Sequence, residues 1–259
     1  MNLSIKCYGD VSESSATEIS NIVSASYPML GEPEGGTVSI EIFEKGEEQS
    51  FFCTHDALEG HPRIRIFLDS YIQLPHLVGI AGIRRQVAHS IIHGSLRYYL
   101  IKFPDELKST IKDYGMSYEF GTSMLYSISM SAKEYEATVF LCQHGFGEEQ
   151  SAYANYILNP SQEEVLAWKL SAANKSSRIL YLMAIIRDIA CAIPLLQEGS
   201  IADDINMRID MKAAHLDDEY RTLITDIAQK VAGFMGEDTF DNIKKIGRLV
   251  NQEVLNNLL

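Results

Sequence analysis

His89 and His93 are the residues of this chain whose type and spacing point most directly to chemistry. Side chains four residues apart on a helix lie one above the other, so two imidazoles can converge on a single metal ion. Between them the chain reads His89-Ser90-Ile91-Ile92-His93. A serine hydroxyl does not take a proton from metal-bound water near neutral pH, so the pair offers metal ligation without an adjacent general base. Periodicity places the pair on a helix over residues 80–101. On a wheel of roughly 100° per residue, Ile80, Val87, Ile91 and Tyr98 form one face, while His89 and His93 share the other side with Gly82, Gln86 and Arg97. The expectation is a histidine pair turned away from the core, and two solvated histidines are the plain alternative to a metal site.

The elements that would position this pair are legible around it. Residues 12–26 have helical spacing at Ile19, Ile22 and Val23, with Tyr27-Pro28 as the expected stop. Glycines and prolines at 31–36 make a turn, and residues 37–43 largely alternate as a strand. A turn at Gly46 and its acidic neighbours precedes a second strand near Phe51 and Phe52, and residues 63–68 form a third. A small sheet therefore precedes the histidine helix. Downstream, helices are expected over residues 105–118 and 129–143, in a stretch ending near Asn159-Pro160, and over 161–174, 176–197, 202–214, 216–234 and 238–257. The fold class is α+β, with an N-terminal part over residues 1–158 and a helical part over 159–259.

Composition narrows the function classes. With 259 residues, 46% of them hydrophobic, the chain can bury a real core. A formal charge of −13 argues against binding to a phosphate backbone, so nucleic acid is not an expected partner. Cys7, Cys53, Cys142 and Cys191 form no C-x-x-C pair, which fits reduced thiols in the cytoplasm better than a disulfide framework. The first residues lack the apolar run of a signal peptide. The most apolar later stretch, 179–196, is interrupted by Arg187 and Asp188 and broken by Pro194, so it reads as a buried helix and not a membrane span. Acidic clusters such as Asp217-Asp218-Glu219 and Glu148-Glu149 read as solvated helix starts or turns, and Glu237-Asp238 suits a helix N-terminus.

The histidine run resembles the zinc-binding helix H-E-x-x-H of the zincin-like metallopeptidases, and Glu134-Tyr135-Glu136-Ala137-Thr138 resembles the E-x-x-A-N/D signature of the small gluzincins and of the ImmA/IrrE-type enzymes. The resemblance covers about residues 37–158. It implies a zincin-type fold, zinc held by His89, His93 and Glu134, and a supporting role for the residue at 138. Glu136 lies nearly opposite Glu134 on a helix, so only one of them can face the metal. Two departures matter. Ser90 stands where the family has its catalytic glutamate, and Thr138 stands where it has the Asn or Asp that orients a histidine ligand. Loss of such an orienting group weakens metal binding about 10- to 100-fold.

The first functional expectation is therefore a metal-binding, catalytically impaired relative of these peptidases. A bound zinc ion would still polarise a carbonyl and acidify its water, but without a positioned base the reaction loses roughly 10²–10⁴-fold. A second expectation is an active hydrolase with its base from elsewhere. Glu106 and Glu119 are candidates by sequence position, and Tyr153, Tyr156 and His215 match oxyanion stabilisers in type alone. A third is a metal-free protein that binds a peptide, a protein or a second copy of itself through the helical half. In that half Trp168, Tyr181, Met183, Met207, Met211 and Met235 read as core.

Overall fold

Alternation in Thr37–Phe43 (β2) sends Val38, Ile40 and Ile42 to one face of the sheet, where all three are fully buried. The computed structural model, which describes residues 1–46, 51–199 and 201–258, places this strand inside a four-stranded sheet. Its order is β1 (Asn2–Tyr8), β2, β4 (Arg63–Phe67) and β3 (Cys53–Asp56). β1 and β4 run parallel to β2, and β3 closes the far edge antiparallel to β4. The register sets Ile40 beside Ile64 and Ile42 beside Ile66, which makes the buried face continuous. The protein is α+β, a small mixed sheet followed by a helical C-terminal half.

Contacts divide the chain into two units. The first comprises residues 1–101 and 140–153, the second 102–139 and 154–259. The division falls elsewhere than at residue 158 and is not a single cut.

In the first unit α1 (Glu13–Leu30) starts at Ser12, whose hydroxyl accepts the Ser15 N–H. α1 does not stop at Tyr27-Pro28 as expected. Pro28 sits in the last turn, and the helix ends at Gly31, whose φ of 107° few other residues tolerate. A single turn, α2 (Leu68–Tyr71), takes Leu68 away from the expected third strand, and the second strand begins at Cys53, after the Phe51-Phe52 pair. The turn expected around Gly46 runs into residues 47–50, outside the described residues. α3 (His76–Ile92) packs against α1, β3 and β4. Close approach to Phe52, just before β3, needs Gly82, where a Cβ would lie 2.0 Å from Phe52 Cζ.

In the second unit α4 (Asp105–Asp113) is followed by α5 (Tyr118–Gln143), which begins well before residue 129, and α6 (Gly147–Ile157). Both α5 and α6 cross from one unit to the other. Then come α7 (Gln162–Ser171), α8 (Lys175–Ala190), α9 (Ala202–Ala213), α10 (Asp218–Phe234), α11 (Thr239–Val250) and the short α12 (Asn256–Leu258). α8 packs on α7 and α10, and Ile179, Leu182, Met183 and Ile186 of α8 and Ile224 and Ile227 of α10 are buried. Arg187 and Asp188 inside this apolar helix pair with each other at 3.1 Å, and Asp188 also meets Lys212 of α9 at 3.0 Å. Trp168 and Met183 are core, as expected. Met207 and Met211 are not: they are 51% and 40% exposed on the outer side of α9. Among the described residues, no helix is long and apolar enough to cross a membrane.

Candidate functional site

α3 ends at the histidines instead of running on to residue 101. His93 is its C-cap, with φ −126° and ψ 20°, and its N–H donates to the His89 carbonyl at 2.8 Å. A short 3₁₀ turn, Leu96–Tyr98, follows. Gly94 permits this exit, since a Cβ there would lie 1.9 Å from the Ser90 carbonyl oxygen. The break swings the Tyr98 ring edge-on to His93, at 5.2 Å and 78°.

The pair does not face solvent, contrary to the wheel. His89 is 1% exposed and His93 fully buried. α3 is covered on several sides, so its polar residues Arg85, Gln86, His89 and Ser90 are all buried along with Val87 and Ala88. The wheel assumed one apolar stripe, whereas this helix is enclosed and its polar groups are met by specific partners.

The Nδ1 atoms of His89 and His93 stand 3.0 Å apart. Two tetrahedral nitrogen ligands at ordinary zinc distances stand about 3.3 Å apart. The spacing thus suits either an N–H···N hydrogen bond, with one ring donating, or a two-nitrogen chelate reached by a shift of a few tenths of an ångström. Strand β3 adds a third imidazole. His55 stacks on His89 at 4.8 Å and 9°, and its Nε2 is 2.5 Å from the Tyr99 hydroxyl. Burial, with the charge of Asp56 adding to it, raises the Tyr99 pKa well above the usual phenol range. The wheel puts Tyr98 on the core face of a continuous helix, away from the pair, and the break after Ile92 overturns that; the sequence offers no signal for His55 or Tyr99. His55 comes from β3 and Tyr99 follows the 3₁₀ turn, and no spacing rule connects these two to the pair.

Ser90 bonds to Val87 and Tyr27. Its hydroxyl donates to the Val87 carbonyl at 2.6 Å, so its contact with Tyr27 at 2.8 Å must have the phenol as donor. Burial pushes the Tyr27 hydroxyl up to about 12. The position of the family's base is therefore spent on fastening α3 to α1. Before it, Arg84 donates to Ser26 Oγ, pairs with Glu149 and lies over the Phe146 ring. Arg85 donates to Gln150 Oε1 at 2.7 Å and lies over the Tyr153 ring. Tyr153 thus supports an arginine.

Comparison of the chain with family models, curated proteins and solved structures finds no match.

Glu134 and Thr138 lie on the part of α5 that belongs to the second unit. The Thr138 hydroxyl is directed to the Cys191 carbonyl at 2.7 Å and, less closely, to that of Glu134. Glu136, on the opposite side, accepts from Thr239 at 2.7 Å and from Asn242 at 2.6 Å, which joins α5 to α11. Next to Glu134, burial draws the Lys133 amine down to about 8, against the pull of Glu136 and Glu134. The other candidate bases are at the surface. Glu106 is exposed and paired with Arg248, and Glu119 is exposed at the start of α5. Tyr156 is 43% exposed, and His215 is bonded to Tyr181. Among the described residues, no group of three or more His, Cys, Asp or Glu side chains is disposed to hold a metal ion. The side chains fit a two-nitrogen chelate.

Proposed function

We propose that this chain is a metal-binding, non-hydrolytic relative of the zincin-like proteins, with His89 and His93 as its metal-binding pair. The observation that carries the reading is the 3.0 Å separation of two buried Nδ1 atoms on one helical turn. Neutral imidazoles of this kind suit zinc, copper or nickel. Ser90 supports the non-hydrolytic part, because its hydroxyl is committed to Val87 and Tyr27. The sequence resemblance adds Glu134 as a further donor.

The test is metal content by mass spectrometry in protein purified without chelator, followed by zinc titration of the parent, His89→Ala, His93→Ala and Glu134→Ala. Near-stoichiometric zinc in the parent and loss in both histidine variants is expected. Equal zinc in the parent and in either histidine variant would overturn the assignment. Zinc-dependent cleavage of an unfolded protein substrate by the parent would overturn the non-hydrolytic part. A second reading, a helix-binding surface without metal, is favoured by Leu166 and Leu170, which are 56% and 71% exposed one turn apart on α7.

A further inference from the structure

We infer that the free edge of β1 is a self-association surface, on which a second copy of this chain pairs through its own β1 to make a continuous sheet. The backbone shows which groups are available. Asn2 N–H donates to the Gly36 carbonyl and the Tyr8 carbonyl accepts from Glu44, so the even-numbered residues of β1 direct their peptide groups at β2. Leu3, Ile5 and Cys7 therefore direct theirs outward from the sheet edge.

The same three residues point their side chains to the core side, in register with Val38, Ile40 and Ile42. Those β2 residues are fully buried, whereas Ile5 is 41% exposed and Cys7 is exposed. Leu3 is half-buried, so the cover thins beyond β2 and leaves Ile5 and Cys7 as an apolar strip beside a row of donors and acceptors that is open among the described residues. Natural edges are commonly blunted by proline, bulges, short length or several charges. β1 has seven residues in unbroken register and a single charge, Lys6.

The strand is complementary to itself. An antiparallel copy centred on Ile5 sets Ile5 opposite Ile5, Leu3 opposite Cys7 and Lys6 opposite Ser4. Each outward pair exchanges both N–H···O bonds, and the two apolar strips become one. Charge permits two copies of a chain with net charge −13 to meet here, because β1 carries no acidic residue and its Lys6 lies in register with Glu41. An interface of two strands is small, so the dissociation constant is on the order of 1–100 µM.

The test is sedimentation equilibrium of the full chain across that concentration range, beside Ile5→Pro and Ile5→Lys. Ile5 N–H is not used by β2, so proline removes an outward donor and leaves the β1–β2 ladder. Lysine retains the N–H and sets like charges opposite each other. Far-UV circular dichroism checks that both variants are folded. A concentration-dependent dimer in the parent, weakened at least tenfold in each folded variant, is expected. A third variant, Ile5→Cys in a Cys7→Ser background, places two thiols at a Cα separation of about 5.5 Å. It should cross-link on oxidation, while Leu170→Cys in the same background should not. A parent that stays monomeric, a dimer unchanged in Ile5→Lys, or cross-linking at position 170 and not at 5 would each overturn the inference.

Discussion

Ser90 shows how one residue can separate a motif from its chemistry. A glutamate there would serve as the base of the resembled motif, yet the hydroxyl accepts a buried phenol from α1 and donates to its own helix. Restoring the motif by Ser90→Glu should therefore destabilise the protein without creating a peptidase. A carboxylate would replace a fully buried hydroxyl and face Tyr27 in the α1–α3 packing, at a cost of about 3 kcal/mol. This corresponds to a fall in thermal midpoint of roughly 6–12 °C for a chain of this size. Calorimetry checks the first part, and peptide cleavage at matched zinc checks the second. An unchanged midpoint would show that position 90 has room for a base. At this scale the i, i+4 spacing of the histidines was legible because it is local. Their burial was not, since it depends on His55, Tyr98 and Tyr99, which arrive from elsewhere in the fold.

At the scale of elements, the strands with a buried face were legible because β2 and β4 largely alternate. β1 alternates as well, with Leu3, Ile5 and Cys7 against Ser4, Lys6 and Tyr8, and that signal was available in the sequence. The end of α3 was hidden, because apolar spacing continues past His93 and the stop comes from Gly94 under the Ser90 carbonyl. The helical unit holds its members together with polar contacts that no periodicity reveals. Lys212, 2% exposed on α9, meets Glu164 of α7 at 2.5 Å and Asp188 of α8 at 3.0 Å. Nearby, Tyr181 donates to the Glu164 carbonyl, so the 2.6 Å contact with His215 has His215 Nε2–H as donor and leaves Nδ1 buried without a hydrogen-bond partner among the described residues. Burial lowers the His215 pKa below 6.5; the Glu164 charge opposes this and the Lys212 charge adds to it. A histidine depressed on folding contributes stability that is present above its unfolded value and lost as pH falls through the folded one. His215→Gln should accordingly flatten the decline in urea midpoint as pH is lowered below 6.5, while leaving the midpoint above pH 7 less affected. Glu164 acts in a lower window. Burial would raise its carboxyl, but the bonds from Lys212 and the Ser161 N–H outweigh that and hold it below 4.5, so its contribution survives until stronger acid. A pH slope below 6.5 that is identical in His215→Gln and the parent would remove the assignment to His215.

For the whole molecule, a boundary at 158 follows from reading patterns in chain order: strands and the two motif helices first, helices alone afterwards. Contacts divide the chain differently, because residues 102–139 belong with the C-terminal helices and residues 140–153 with the sheet. The chain passes between the units three times, twice inside helices α5 and α6. Sequence order cannot show this, since the partners of α5 lie 53 residues away at Cys191 and more than 100 away at Thr239 and Asn242. A fragment of residues 1–158 would keep α5 while removing the carbonyl that Thr138 serves and both donors to Glu136. It would also expose Ile128, Ala132 and Leu158, which are fully buried in the complete chain. Such a fragment should bind a hydrophobic dye and melt without a sharp transition, in contrast to the full chain, because loss of specific packing leaves secondary structure behind. If it melts cooperatively at the parent's midpoint, the N-terminal part folds alone, and the histidine pair can be studied apart from the helical half.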